Sequence, residues 1–206
     1  IDRPWLENDK WQTPVMTSDG KMGMWFAVGF AVFWNSFSWF IAYVVYDEYM
    51  NSGNKMALIA MLFPVAGIWL IVWALREILE YKKYGQTPLT LDPFPGSIGG
   101  HVGGTIDLNE RFSPDEKIEI SLSNMYSYMS GSGDDRRRSE RIQWEKSVYA
   151  HAEPYMEGTR LTFRFDIPED ADVKETEYNA DSSSYYLWRL HVNAVREGVD
   201  LDRSYE

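Results

Sequence analysis

The chain has no cysteine and only three histidines among its 206 residues. The absence of cysteine excludes disulfides, thiolate metal sites and cysteine nucleophiles, and leaves the redox compartment open. The histidines, His101, His151 and His191, are far apart in the sequence. A metal site needs three or four converging donors and a general base needs an oriented partner, and neither is evident near His101. We therefore interpret His101 as structural. We predict that His151 lies in a loop before Pro154, and that His191, which is out of phase with the apolar face of residues 188–194, points to solvent or to the opposite face of its sheet.

Motifs of catalytic and nucleotide-binding sites are also absent. The glycine-rich run 95–105 has no Gly-Lys-Ser or Gly-Lys-Thr, and no helix follows it whose N-terminus could hold phosphate. Its glycines are more typical of bulges or close backbone contacts in strands. No serine stands in a Gly-x-Ser-x-Gly context, and the acidic residues are scattered rather than paired. The sequence predicts a protein that is not an enzyme and has no cofactor or metal.

Basic residues are scarce, with 20 Lys and Arg against 31 Asp and Glu and a formal net charge of -11. Residues 85–206 carry 23 Asp and Glu against 13 Lys and Arg, a balance of -10. A domain this acidic is not expected to bind nucleic acid. Its one basic cluster, predicted to lie in a loop, is either a solvated hairpin tip or a docking surface for lipid headgroups or an acidic partner. The cluster consists of Arg136, Arg137, Arg138 and Arg141.

Two long apolar runs, residues 22–46 and 56–75, contrast with the mean hydropathy of -0.38. Neither run contains a charged residue or histidine, and a helix that spans a bilayer needs roughly 20 mostly apolar residues. A polar stretch, residues 47–55, connects them. The sequence therefore predicts a transmembrane helical hairpin over residues 22–84, whose last part, residues 76–84, leaves the bilayer as a helical extension that Gly85 ends.

Lys and Arg are concentrated at the outer ends of the two runs. Those residues are Arg3, Lys10, Lys21, Arg76, Lys82 and Lys83. The connecting stretch has only Lys55, so the positive-inside rule places both ends of the hairpin, and the domain after it, in the cytoplasm. Residues 1–21, which include Trp5 and Trp11, suit either a juxtamembrane segment at the bilayer interface or a soluble loop.

Small residues recur at every third or fourth position along one face of each predicted helix. They let helix backbones approach closely in lipid. We predict that the two stripes pack against each other, that the amide of Asn35 bonds across the interface or to a further helix, and that Pro64 kinks the second helix. A transport path is not expected, because neither helix carries an ionisable group. The stripe residues are Gly23, Ala27, Ala31, Asn35, Ala60, Pro64, Gly67, Ile71 and Ala74.

After Gly85, apolar and polar residues alternate with the period of β-strands. Six or seven short strands over this length predict two packed antiparallel sheets. The predicted fold class is a membrane α+β protein, in which a transmembrane hairpin precedes an acidic β-sandwich over residues 85–206. The clearest strand candidates are residues 118–122, 161–167 and 188–194, and the weaker ones are residues 89–91, 102–108 and 141–149.

Two resemblances rest on particular residues. The sequences Arg-Pro-Trp-Leu at 3–6, Leu-Asp-Pro-Phe-Pro-Gly-Ser-Ile-Gly-Gly-His-Val-Gly-Gly at 91–104 and Tyr-Met-Ser-Gly-Ser-Gly at 128–133 resemble a domain-of-unknown-function family of bacterial multi-pass membrane proteins. This resemblance implies a bacterial inner membrane, with further spans and a small extracytoplasmic domain upstream. Residues 165–168, 184–192 and 198–200 are similar to the late strands of arrestin-like, immunoglobulin-like sandwiches. That similarity implies a protein-binding domain in which residues 204–206 lie inside a strand and one more strand follows.

Together these features predict a membrane-anchored interaction or scaffold module. The alternative is an accessory subunit of a larger membrane complex, which binds through the hairpin. A membrane enzyme or transporter would need groups supplied by partner chains or by missing parts of the protein. The expected partners are the lipid bilayer and either other membrane subunits or a second copy of the chain.

Overall fold

The computed structural model describes residues 13–53, 59–113, 115–131, 136–169, 173–174 and 184–206. The chain forms two compact units, which we call the hairpin unit (residues 20–83) and the β-domain (the described residues of 13–19 and 84–206). The helices are α1 (Gly20–Ser52) and α2 (Leu62–Tyr84). The strands are β1 (Val15–Met16), β2 (Leu89–Leu91), β3 (His101–Leu108), β4 (Glu119–Ser130), β5 (Arg137–Tyr149), β6 (His151–Tyr155), β7 (Gly158–Asp166), β8 (Ser184–Ala194) and β9 (Leu201–Tyr205).

The helix α1 extends beyond the predicted apolar run and includes Asp47 and Glu48, which we assigned to the polar stretch that connects the two helices. It continues because no helix breaker intervenes before Gly53, whose φ of 68° ends it. The predicted extension of α2 to Tyr84 is confirmed, and Gly85 follows with φ 77°. Pro64 lies in the first turn of α2. A proline there removes a backbone donor that a helix start leaves unpaired in any case, so the predicted kink is wrong and Pro64 marks a helix start.

Two antiparallel sheets build the β-domain. Sheet A has the strand order β1-β2-β3-β7-β6, and sheet B has the order β5-β4-β8-β9. One buried cluster contains Ile106, Leu161 and Phe165 of sheet A together with Ile120 and Val192 of sheet B. The predicted pair of antiparallel sheets is therefore confirmed, and all six strand candidates are strands.

Three further strands were not among the candidates identified by alternation, although the arrestin-like resemblance placed residues 204–206 in a strand and β9 includes Ser204 and Tyr205. We predicted His151 in a loop, but it begins β6. Pro154 is compatible with this strand because β6 is at the edge of sheet A, where a proline costs no ladder hydrogen bond. At the other end of the chain, β9 pairs with β8 from Ala194↔Leu201 to Leu190↔Tyr205. Finally, β1 pairs with β2, so residues 15–16 of the predicted juxtamembrane segment belong to sheet A.

The β-domain has hydrogen-bonded contacts at both points where its chain joins a helix. Tyr84, the last residue of α2, is fully buried and donates its hydroxyl to the Val199 carbonyl at 2.6 Å. On the other side, Ser18, just before α1, accepts a 3.0 Å hydrogen bond from the Thr87 hydroxyl. Tyr205 of β9 donates to the Thr87 carbonyl at 2.7 Å. The last strand therefore helps to fix both flanks of the hairpin sequence within the β-domain.

Alkaline pH is expected to destabilise the β-domain through Tyr205. Burial raises the pKa of this phenol to about 12 from the ordinary 10.0, outweighing the opposite effect of its hydrogen bond to Thr87. The unfolded phenol loses its proton near pH 10 while the folded one retains it, so this contribution to stability is complete below pH 10 and is lost as the pH rises to 12. We expect the free energy of unfolding to fall by about 2–3 kcal/mol over that interval.

The measurement is denaturant unfolding of the full chain in detergent micelles, followed by near-UV circular dichroism from pH 8 to 12. Tyr205→Phe should cost about 1 kcal/mol at neutral pH and remove most of the extra alkaline loss. The matched variant Tyr149→Phe, at a side chain that is 66% exposed, should leave the pH profile unchanged. Parallel profiles for the wild type and Tyr205→Phe would contradict this account.

Candidate functional site

The candidate site lies at the end of sheet B where β4 leads into β5. We call it the tip: residues 126–130 of β4, 137–141 of β5 and 184–186 of β8. Lys146 Nζ of β5 donates to the carbonyl of Asp166, the last residue of β7, at 3.2 Å. The part of β5 from Lys146 back to Arg137 lies beyond this contact. The tip therefore extends past the end of β7.

The inner face of the tip, which continues the core-facing side of β4, carries three half-buried tyrosines. The ring of Tyr126 lies 5.4 Å from that of Tyr128 and 4.8 Å from that of Tyr186, measured between centroids. Strand register places Arg141 directly opposite Tyr126. Since paired residues point to the same side of a sheet, a cationic group flanks the tyrosine cluster on this face.

The outer face pairs an arginine with an aromatic ring in the same way. The guanidinium carbon of Arg138 lies 4.8 Å from the ring centroid of Tyr185. Its Nη1 donates to the hydroxyl of Ser127 at 3.0 Å, and Ser127 is fully buried. A cation over an aromatic face gains about 0.5–1 kcal/mol at exposed sites. These two contacts hold Arg138 against the strands, so both faces of the tip combine tyrosine with arginine.

The basic cluster that we predicted in a loop lies mostly in a strand. Arg137, Arg138 and Arg141 belong to β5, and Arg136 directly precedes it. The loop prediction is wrong because β4 and β5 pair as far as Ser130↔Arg137, and that pairing gives the run an extended conformation.

None of these four arginines forms an ion pair with a carboxylate among the described residues, and all four are exposed. Other arginines of the β-domain do form ion pairs. Arg160 Nε, for example, lies 2.7 Å from Asp107 Oδ1, and Arg196 Nε lies 2.9 Å from Glu116 Oε1. The tip is therefore a basic surface on an acidic domain.

A buried amide fixes the inner face next to the tip. Asn124 is fully buried, and its Nδ2 donates to the Lys174 carbonyl at 3.0 Å. The same carbonyl accepts a 3.2 Å hydrogen bond from Trp188 Nε1. The ring of Trp188 also packs against Trp144, with 5.8 Å between centroids. The tyrosines of the tip therefore follow directly on a packed and hydrogen-bonded layer.

The helix-packing residues named from the sequence differ in burial within the hairpin unit. Asn35 and Ala60 are half-buried, and Gly23 is exposed. The buried residues are Ala27, Ala31, Pro64, Gly67 and Ala74. Ile71 of the predicted stripe is 41% exposed, and its neighbour Leu70 is buried instead.

Asn35 connects the two helices. Its Nδ2 donates to the Ala31 carbonyl at 2.8 Å and to the Gly67 carbonyl of α2 at 3.0 Å. Ser38, which we did not single out, is fully buried beside it. A Cβ atom added at Gly67 would lie 2.5 Å from Asn35 Oδ1 and 3.2 Å from Ser38 Oγ. Ser38 lies three residues past Asn35, close to where the stripe would continue.

The three histidines lie in separate parts of the β-domain. His101 starts β3 and His151 starts β6. His191 lies on the opposite side of β8 from its apolar face, as we predicted from its position out of phase with that face. Its Nε2 is 2.8 Å from Asp202 Oδ1. Over the described ranges, no group of three His, Asp or Glu side chains is placed to hold a metal ion. The absence of a cofactor and a metal stays a prediction.

These elements define an α+β protein, with two long apolar helices and two antiparallel sheets that share a core. No protein-family model matches the chain, and no curated protein matches it. Among solved structures, the chain is similar to the crystal structure of Spo0M, a sporulation control protein from Bacillus subtilis, with 14% identity and a TM-score of 0.33. The match covers 56% of this chain and 45% of the Spo0M chain. The bacterial-family and arrestin-like assignments stay predictions.

Proposed function

We propose that this chain is a membrane-anchored, non-catalytic interaction module, in which the hairpin crosses a bilayer and the tip binds an acidic protein partner. The observation that carries the proposal is the set of four exposed arginines without a carboxylate partner among the described residues, next to ordered tyrosines on an otherwise acidic domain. The proposal includes a bacterial inner membrane and a cytoplasmic β-domain.

The exposed surface of the helices supports the membrane anchor. Both helices are long and apolar enough to cross a bilayer. In the most apolar 18-residue stretch of each helix, only 17% of the first and 22% of the second is buried. Large apolar side chains lie exposed along α1, including Trp25, Phe33 and Phe40. Exposing such area to water costs about 25 cal/mol per Å², whereas lipid solvates it. The basic residues Arg76, Lys82 and Lys83 near the end of α2 support a cytoplasmic β-domain.

The chemistry of the tip supports a protein partner. Tyrosine and arginine are the residues that most often dominate the binding energy of interfaces, because they combine large contact area with directed polar groups. The ring and hydrogen-bond contacts of Arg138 and Tyr126 reduce the side-chain entropy lost on binding. A basic patch on an acidic domain also selects acidic partners by long-range attraction.

An accessory-subunit function is the second candidate, and the rings of the hairpin favour it. Trp34 stacks on Phe63 at 5.8 Å and contacts Phe37 at 5.4 Å, between centroids. Phe37 and Phe63 remain 38% and 39% exposed. The buried small residues contact the opposite helix, so a subunit that binds through the hairpin would use these aromatic rings.

Charge reversal at the tip tests the proposal. We expect Arg137→Glu/Arg138→Glu/Arg141→Glu to reduce at least tenfold the amount of partner that co-purifies from native membranes in mild detergent, because repulsion replaces attraction at each position. The measurement is quantitative mass spectrometry of the purified full chain. Arg164→Glu, an exposed arginine of sheet A, is the matched control and should change recovery less than twofold.

The same measurement separates the two candidate functions. Phe37→Ala/Phe63→Ala should leave recovery of a tip-bound partner unchanged. If the partner is lost with this aromatic pair and kept after charge reversal, the accessory-subunit function is correct and the proposed one is wrong.

A further inference from the structure

We infer that the partner is an acidic, extended segment of protein that adds to sheet B as a strand alongside β5. This inference rests on the proposed function and specifies how the partner binds. The strand β5 is at the edge of sheet B, is 13 residues long, and pairs only with β4 among the described residues. No strand of the described ranges pairs with its second edge, so the backbone donors and acceptors along that edge are a template for a further strand.

The other sheet edges offer much less. The strand β1 has two residues, and β9 has five. At the remaining edge, β6 has five residues and contains Pro154, which lacks a backbone donor. Short strands and proline are common protections against unwanted strand pairing. Among the described edges, only β5 has the length to pair with a segment of several residues.

Exposed apolar side chains on β5 support a covered rather than a free edge. Ile142 is 51% exposed and Tyr149 is 66% exposed. Register places Ile142 opposite Met125, on the same face as the Ser127 that anchors Arg138. A strand added beside β5 would cover the side of Ile142 that now faces solvent, and burial of apolar area favours binding.

The positions of the arginines along β5 specify the charge pattern of the partner. In an antiparallel pairing, residues opposite Arg141, Arg138 and Arg137 follow one another in the partner at intervals of three and one. Opposite charges directly across two strands stabilise a pair by about 0.2–1 kcal/mol each. The partner should therefore read acidic-x-x-acidic-acidic. Its middle acidic residue would face the side of Tyr185, and the outer two the side of Tyr126.

A lipid surface fits β5 less well than a protein segment. Anionic headgroups could neutralise the arginines, but they cannot pair with a row of backbone donors and acceptors along a strand edge, whereas an extended protein segment can do both.

The test uses a display library of random 12-residue peptides, selected against the full chain in phosphatidylcholine nanodiscs. We expect enriched peptides with acidic-x-x-acidic-acidic spacing. For a synthetic copy of an enriched peptide, Arg138→Glu/Arg141→Glu should raise Kd at least tenfold and the control Arg164→Glu less than twofold. Hydrogen exchange should show that the bound peptide protects backbone amides of β5.

A second variant keeps the test independent of the arginines. Gln143 lies at the register shift of the β4–β5 pairing, and bulges tolerate proline. Gln143→Pro should therefore retain the fold, checked by circular dichroism, and weaken peptide binding at least tenfold by removing a donor and bending the edge.

Three results would overturn the inference: no enrichment over the charge-reversed chain, protection of strands other than β5, or displacement of the peptide by phosphatidylglycerol vesicles. If charge reversal abolishes recovery of the native partner while Gln143→Pro leaves it intact, the proposed function stands and strand addition is wrong. If neither variant affects recovery of the native partner, both the strand-addition inference and the proposed function are wrong.

Discussion

Gly67→Leu is expected to destabilise the hairpin unit by about 2–4 kcal/mol. At Gly67, even the first added carbon would lie 2.5 Å from Asn35 Oδ1 and 3.2 Å from Ser38 Oγ. The whole leucine side chain therefore requires the helices to separate at this level. Separation also removes the hydrogen bond from Asn35 to the Gly67 carbonyl, and this loss adds to the cost of overpacking. Overpacking and the loss of this hydrogen bond act together.

The matched control for this substitution is Gly29→Leu. No atom of the described structure lies within 4 Å of a Cβ added at Gly29, so the same side chain is added without a clash. Unfolding of the full chain should be followed by tryptophan fluorescence in mixed micelles, as the mole fraction of sodium dodecyl sulfate increases. Equal stability of the two variants would show that close packing at Gly67 does not hold the helices together.

Tyr84→Ala is expected to reduce the free energy of unfolding of the β-domain by about 3–5 kcal/mol. Tyr84 is the largest fully buried side chain in the described structure, and its ring stacks on Phe112 with 6.2 Å between centroids. Its hydroxyl also bonds to the Val199 carbonyl. Alanine would leave a cavity and remove this hydrogen bond, whereas Tyr84→Phe would remove only the hydroxyl and cost about 1 kcal/mol.

Denaturant unfolding of the full chain in micelles, monitored by near-UV circular dichroism, measures this effect. Tyr149→Ala provides the control, because that side chain is 66% exposed and its loss should change stability by less than about 0.5 kcal/mol. If Tyr84→Ala and Tyr149→Ala were equally stable, the last residue of α2 would not contribute to the core of the β-domain.

Local sequence pattern was sufficient for the elements whose burial repeats regularly. Alternation at residues 161–167 and 188–194 predicted β7 and β8, because each strand buries one face in the shared core. It failed where a partner strand decides the conformation. The five residues of β9 are mostly polar, and they form a strand because β8 offers an edge for pairing. Similarly, the arginine run was predicted as a loop, and it is extended because it pairs with β4.

The candidate site could likewise be predicted only in part from the local sequence. The arginines were evident from charge alone, since they form a basic cluster in an acidic region. Their aromatic neighbours were not, because Arg138 meets Tyr185 only through the registers of β5 on β4 and of β4 on β8. In the hairpin, the spacing of four that identified Asn35 also leads close to Ser38, but a hydroxyl in an apolar run gives little signal.

The pairing of β1 with β2 has a consequence for how the protein is made. Sheet A takes its first strand from the sequence before α1 and the others from the sequence after α2. During synthesis, Val15 and Met16 therefore leave the ribosome before both helices but have no strand to join until β2 emerges. The same order affects recombinant work. A fragment that starts after α2 would lack β1, Ser18 and Tyr84, and would expose Leu89 and its neighbours in β2 as a new sheet edge.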